Sequence, residues 1–320
     1  MEEAIKNFPQ QFLYEPEIIN ADKLQRKEIF IVLGMGGSHL AADLLAAYKP
    51  DMDIIVHSDY GLPFPETVLQ NAFVIASSYS GNTEEVLDGL KIALEKKLPA
   101  AAIAIGGKLI EEAKKNNIPY VQMPDTGIQP RSALGFSLRG LLKIMGDEKT
   151  LAETKKLAAL LSSEEVEKSA KELSAKLRGF VPVIYASRRN AAIAYNWKIK
   201  LNETSKIPAF CNFLPELNHN EMTGFDATDT TEKLSRAFHF IILKDSSDHP
   251  QNIKRSSVLA KLYRDRGLEV TEMELTGQDR LHKIFSSLQL ADWTAYYLSL
   301  IYGTEAEQVP MVEEFKKLIA

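Results

Sequence analysis

Two unbroken apolar runs, Ile29-Phe30-Ile31-Val32-Leu33 and Phe73-Val74-Ile75-Ala76, constrain this chain more than anything else in it. Neither alternates with polar residues, so neither suits a strand with one wet face. Both read as strands of a parallel sheet covered on two sides. Such a sheet needs a crossover after each strand, and helical patterns at 38–48 and 83–96 supply it. Between strand and helix lie Gly34-Met35-Gly36-Gly37-Ser38 and Ser77-Ser78-Tyr79-Ser80-Gly81-Asn82-Thr83. A helix start leaves backbone N–H groups unpaired and carries partial positive charge, which makes an anion site. Glycine lets the backbone approach the anion, while Ser78, Ser80 and Thr83 add side-chain donors. Two such loops in one domain point to a phosphorylated small molecule held between them.

The same alternation organises the rest. Strands are expected at 28–33, 53–57, 73–77 and 100–105, with further helices at 108–116 and, after Pro130-Arg131, at 132–145. That is a doubly wound α/β unit, placed at 1–150. Residues 147–178 interleave Glu and Lys with Leu and Ala and read as solvated amphipathic helices joining two domains. A second domain, 151–320, then repeats the rhythm. Its strands fall at 181–186, 238–243 and 269–274, its helices at 190–204, 249–266 and 278–302, and an amphipathic tail at 309–320. It looks like a copy of the first. However, its first strand leads into Ser187-Arg188-Arg189-Asn190, which has no glycine and so no backbone access for phosphate.

Composition closes other routes. With 320 residues, 45% of them hydrophobic, the chain can fill two cores. Lys+Arg of 38 against Asp+Glu of 43 gives a net charge of -5 without a basic stripe, so no nucleic-acid partner is expected. The start, Met1-Glu2-Glu3-Ala4-Ile5-Lys6, lacks the layout of a signal peptide, and no apolar stretch approaches the roughly 18 residues that cross a membrane. Cys211 is the only cysteine, which suits a reducing cytoplasm. The six histidines show no zinc-helix spacing, so no metal is expected. No dinucleotide cofactor is expected either. The first loop lacks a G-x-G-x-x-G, and Val56-His57-Ser58 stands where the ribose-binding acid belongs.

Gly36-Gly37-Ser38 together with Ser78-Tyr79-Ser80-Gly81-Asn82-Thr83-Glu84-Glu85 resembles the sugar isomerase (SIS) domain, a phosphosugar-binding α/β module. Pro130-Arg131-Ser132-Ala133-Leu134-Gly135, Asn202-Glu203 and Asn218-His219-Asn220-Glu221 resemble the bifunctional phosphoglucose/phosphomannose isomerases of archaea and some bacteria. The likeness runs over essentially the whole chain, as two tandem SIS domains, each a doubly wound parallel sheet flanked by helices. It implies an aldose–ketose isomerase that interconverts glucose 6-phosphate, and mannose 6-phosphate, with fructose 6-phosphate through a cis-enediolate. It also implies a metal-independent, cofactor-free homodimer.

That chemistry moves a proton between C1 and C2 and needs a carboxylate base, a cation beside the developing oxyanion and groups that open the sugar ring. By resemblance, Gly36, Gly37, Ser38, Ser78, Ser80 and Thr83 bind the phosphate, Glu203 is the base and Arg131 steadies the enediolate. His219, supplied by the neighbouring subunit, and Lys316 open the ring. In Pro310-Met311-Val312-Glu313-Glu314-Phe315-Lys316-Lys317, the family's tail lysine follows an apolar residue, which points to Lys316 over Lys317. Without the resemblance these four would read as a solvated helix-end acid, a surface arginine, a capping histidine and a helix-end charge. His39 reads as a polar helix-start residue, Trp197, Trp293, Tyr296 and Tyr297 as packing or dimer contacts, and Cys211 as no nucleophile.

Two other classes compete. A non-catalytic phosphosugar sensor would carry a DNA-binding helix-turn-helix or a basic patch, and neither is seen. Another SIS enzyme, such as the isomerase part of glucosamine 6-phosphate synthesis, would need an N-terminal cysteine and a glutaminase domain.

Overall fold

The computed structural model describes residues 1–161 and 163–319. It divides into two compact units, Lys6–Leu160 and Met1–Ile5 with Leu161–Ala320. The first holds five parallel strands, β1 (Ile29–Leu33), β2 (Asp53–His57), β3 (Ala72–Ser77), β4 (Ala100–Ala104) and β5 (Tyr120–Gln122), in the order β2-β1-β3-β4-β5. Strands β3 and β4 are buried along their whole length, as their unbroken apolar runs require. Helices α1 (Leu40–Tyr48), α2 (Glu84–Glu95), α3 (Gly107–Lys115) and α4 (Leu134–Met145) flank them. Because Leu33 lies opposite Ala76, the loops that leave β1 and β3 start side by side. The chain steps from β1 outward to β2 and then back past β1 to β3, so this pair of loops sits at the switch point of the sheet.

Strand β5 escaped the sequence reading because three residues carry no period. The segment before β1 contains a 3-10 helix, Phe8–Leu13, with Phe8 and Phe12 buried edge to face at 5.4 Å.

The stretch at 147–178 folds as the expected amphipathic helices, and the division between the two units falls inside it. Helix α5 (Glu148–Thr154) buries Leu151 and Thr154, where Arg139 of α4 donates to the Leu151 carbonyl at 2.9 Å and the Thr154 hydroxyl at 2.7 Å. Helix α6 (Ser163–Leu177) buries Ala170, Leu173 and Leu177. Each helix sinks its apolar stripe into its own unit.

The second unit holds β6 (Val181–Ser187), β7 (Phe210–Leu214), β8 (Phe238–Lys244) and β9 (Glu269–Glu274), all parallel. Their order, β7-β6-β8-β9, repeats the first four positions of the other sheet, in line with the expected copy. Strand β7 was not foreseen, because Phe210-Cys211-Asn212-Phe213-Leu214 is a half-exposed edge with a polar centre. Helices α7 (Ala191–Ser205), α8 (Pro250–Asp265), α9 (Arg280–Tyr302) and α10 (Pro310–Ile319) complete the unit. The last residue of the expected 309–320 tail lies outside the described residues. Met1–Ile5 belong here: Ile5 packs with Ala170 and Trp293, and Tyr296 donates to Glu2 at 3.1 Å.

Candidate active site

In the first unit the structure brings the expected anion-binding residues together. Gly36 has φ +50, in the left-handed region. A Cβ on Gly37 would stand 2.6 Å from the Arg131 backbone nitrogen and 2.7 Å from the Pro130 carbonyl carbon. Only glycine lets the first loop and the Pro130-Arg131 turn touch. The two loops are tied through Ser38: its hydroxyl accepts from the Tyr79 N–H at 2.8 Å, and its carbonyl accepts from the Ser77 hydroxyl at 3.1 Å. Within the second loop the Ser78 and Thr83 hydroxyls bond each other at 2.8 Å, and Gly81 N–H donates to Ser78 Oγ at 3.1 Å.

Gly81, at φ +73, leans on Gly106-Gly107: a Cβ there would fall on the Gly106 carbonyl oxygen. Lys108 N–H donates to the Asn82 side chain at 3.1 Å. This supporting glycine pair, directly after β4, was missed, although two glycines between a strand and a helix were a visible signal.

The helix expected from Ser38 begins at Leu40, after a single 3-10 turn Gly36–Ser38. His39 at that junction is buried, with Nδ1 at 2.6 Å from Asp43 Oδ2. Arg131 is fully buried at 0% exposure, which removes the surface-arginine alternative. Its turn is pinned by Gln11, which donates to the Ser132 carbonyl at 2.7 Å and accepts from Gly135 N–H at 3.0 Å. Gln11 was missed, because a lone glutamine far along the chain gives no local signal.

In the second unit Glu203 ends α7, half-buried. Three side-chain links fix that helix on α9. Trp197 donates to Ser287 at 3.0 Å, buried Lys200 pairs with buried Asp292 at 2.6 Å, and Ser205 donates to the Ala295 carbonyl at 2.8 Å. The turn past Glu203 closes through Asn202, which donates to the Ile207 carbonyl at 2.9 Å, and through Lys206, at φ +58, whose ammonium reaches the Glu203 carbonyl. Asn202 is therefore the structural partner in the Asn-Glu pair.

His219 closes a 3-10 turn, Glu216–His219, after β7. Glu221 anchors this segment: it accepts from Tyr185 at 2.6 Å and from Asn212. Burial above all, with Tyr263 and the Glu221 carboxylate beside it, holds the Tyr185 phenol far above its usual range, so it stays a donor. Asn220 donates to Glu216 at 2.8 Å, and Asn218 accepts from Arg255 at 3.4 Å. The exposed His219 ring takes no part in this network. Lys316, on α10, is exposed and pairs with Glu313 at 2.8 Å. Glu203, His219 and Lys316 thus stand on three separate elements, each held by its own neighbours.

The demoted residues have structural tasks. Trp197 and Trp293 are fully buried, and Trp293 stacks on Tyr297 at 5.6 Å. Burial pushes the Cys211 thiol above its usual range.

Comparison with known proteins adds an independent line. The family described as bacterial phospho-glucose isomerase C-terminal SIS domain matches residues 166–319. A bifunctional phosphoglucose/phosphomannose isomerase of Caldicellulosiruptor bescii is 33% identical over 100% of this chain and 99% of its own length. Another, from Aquifex aeolicus, is 31% identical over 98% and 96%. Among solved structures, tagatose-6-phosphate ketose/aldose isomerase from Escherichia coli matches with a TM-score of 0.67 at 17% identity, covering 94% of this chain and 92% of that one. At that identity the match speaks for the fold alone.

Proposed function

The chain belongs to the bifunctional phosphoglucose/phosphomannose isomerase family, and from that premise we propose that it interconverts glucose 6-phosphate, and mannose 6-phosphate, with fructose 6-phosphate. The observation that carries this reading is the contact of the first loop with the Pro130-Arg131 turn. It brings two hydroxyl-bearing loops against the backbone of the turn that carries buried Arg131.

The loops suit a phosphate dianion. Backbone N–H groups of Gly36 and Gly37 and the hydroxyls of Ser38, Ser78, Ser80 and Thr83 are the donors. The Ser78–Thr83 bond keeps two of these hydroxyls poised, and they turn outward when an anion replaces that bond. Beside them Arg131, rigidly carried and always charged, faces the negative charge that grows on the enediolate oxygens.

In this reading His219 of a neighbouring subunit and Lys316 pass the ring-oxygen proton and open the pyranose. Glu203 then takes the proton from C2 of the aldose and returns it to C1 of the ketose, and runs the reverse path in the other direction. Because α7 is locked on α9, the carboxylate keeps one position through both transfers. The proposed chemistry needs no metal or cofactor and takes place in the cytoplasm. Among the described residues no helix is long and apolar enough to cross a membrane.

The test is turnover of glucose 6-phosphate and mannose 6-phosphate, assayed separately with and without a chelator, in wild type and in Glu203→Gln. Both sugars turn over in wild type regardless of chelator. The variant loses at least about 10³-fold in kcat, within the range of a lost proton-transfer group, and still binds phosphosugar. Substantial residual turnover in Glu203→Gln would remove Glu203 from the base position.

A further inference from the structure

We propose that α10 is an exchanged arm: it docks on a second copy of this chain and presents Lys316 to that copy's sugar site. The observation is an amphipathic helix that its own chain leaves uncovered. None of its residues is buried. Met311, Val312, Phe315, Leu318 and Ile319 are 81, 45, 59, 79 and 55% exposed. At ~100° per residue these five fall within a stripe of about 120°, a docking face and not scattered surface apolars. Together they leave on the order of 600 Å² open, close to the roughly 800 Å² per partner of a standard interface. A helix of 10 residues is also below the ~12–15 that hold alone in water, so its shape calls for a covering surface.

The same geometry separates the two lysines. Lys316 lies about 40° beyond the edge of the stripe, where a docked helix brings it against the covering molecule, whereas Lys317 points away from it. The arm has a natural joint as well. Gly303, at φ +66, ends α9, whose last turn also leaves Leu300 exposed, and residues 304–309 lead into α10.

The choice of occupant rests on the proposed function. Lys316 acts on a phosphosugar, and that sugar is bound by copies of this chain. An unrelated protein would cover the stripe but bring no sugar to the lysine. Reciprocal exchange, each arm on the other copy, closes as a two-fold pair with no open end.

Two measurements test this. Hybrid dimers are prepared by co-expressing differently tagged Glu203→Gln and Lys316→Ala chains. Exchange predicts one intact site per hybrid, carrying Glu203 from one chain and Lys316 from the other, and about half of the wild-type turnover. If Lys316 serves its own chain, no site is intact and the hybrid stays at the level of the single variants, which overturns exchange. Separately, sedimentation of Phe315→Asp/Leu318→Asp should give monomers where the wild type gives dimers. A dimer that persists with full activity overturns the docking face. Failure of the function reading is seen apart from either: Glu203→Gln alone would keep its turnover, while the sedimentation result still decides the arm.

Discussion

The two sheets of this chain share a strand order and part company at one edge. Where β1 and β3 end, the first unit presents glycines and hydroxyls. Where β6 and β8 end, at the matching switch point, the second unit presents carboxylates. Asp248 accepts from Ser187 at 2.8 Å and from Asn190 at 3.2 Å, and Asp245 is held by Arg280 at 2.9 Å and Lys283 at 2.8 Å. Arg280 also donates to Asn190 at 2.5 Å. A cavity of about 220 Å³ beside this network is lined by Ser187, Asp245, Asp248 and Glu274, among others. The fold offers a crevice at both places. In one the residues are the glycines and hydroxyls proposed to bind phosphate, while in the other the carboxylates are already engaged by Arg280, Lys283, Ser187 and Asn190. Architecture locates a site and side chains decide whether it is used.

That contrast can be broken in several ways. The largest effect belongs to the second unit, whose task is to hold the Glu203 helix. Lys200→Met removes the cation paired with buried Asp292 and should cost about 3–5 kcal/mol of stability, read by urea unfolding. Phosphosugar affinity of the folded protein should be unchanged; a weakened affinity would mean the division of labour is false. Next, Gly37→Ala pushes the Pro130-Arg131 turn away. A displacement near 1 Å should lower kcat/KM by about 10²-fold and cost about 1–3 kcal/mol of stability. Wild-type kinetics in that variant would break the contact on which the function reading stands.

A smaller effect is expected for Asp248→Ala. It leaves Ser187 and Asn190 with a lost acceptor and should cost about 1–3 kcal/mol in thermal unfolding while KM stays put. A raised KM would mean that the second crevice does meet substrate. Smallest is a pH effect. Burial holds the His239 imidazole below its ordinary value, so the folded protein takes up its proton later than the unfolded chain as pH falls. The stability it supports is therefore intact above about pH 6.5 and is lost as acid is added below that value. Unfolding midpoints at pH 7.5 and 5.5 should differ less in His239→Gln than in wild type; equal differences would absolve this histidine.

What was legible in the chain is what is written locally. Strand β1 announces itself through five apolar residues, and the loop after it through three glycines and a serine. What brings the two loops together, the opposition of Leu33 and Ala76, follows from topology and so could be anticipated. The support of Arg131 could not, because Gln11 reaches its turn from the far end of the unit. Nor could the setting of Glu203: periodicity shows an acid at a helix end, and only the packing of Trp197 and Lys200 on α9 reveals a fixed one. The resemblance to a family named His219, but that Glu221 is the anchor and His219 an exposed member of their motif is a fact of packing. In the charged stretch at 147–178 the amphipathic helices were legible, but which unit each apolar stripe joins, with Leu151 in one and Leu173 in the other, is a fact of packing.

One feature of the division has a consequence for how the molecule is made. Met1–Ile5 find their places against Trp293 and Tyr296, on the far side of the whole 6–160 stretch in the chain. The unit from Lys6 to Leu160 has all of its sequence available early and can condense while translation continues. Its companion draws on residues from both sides of that stretch, so that residues 1–5 stay unclaimed until the helix at 280–302 has been made to receive them.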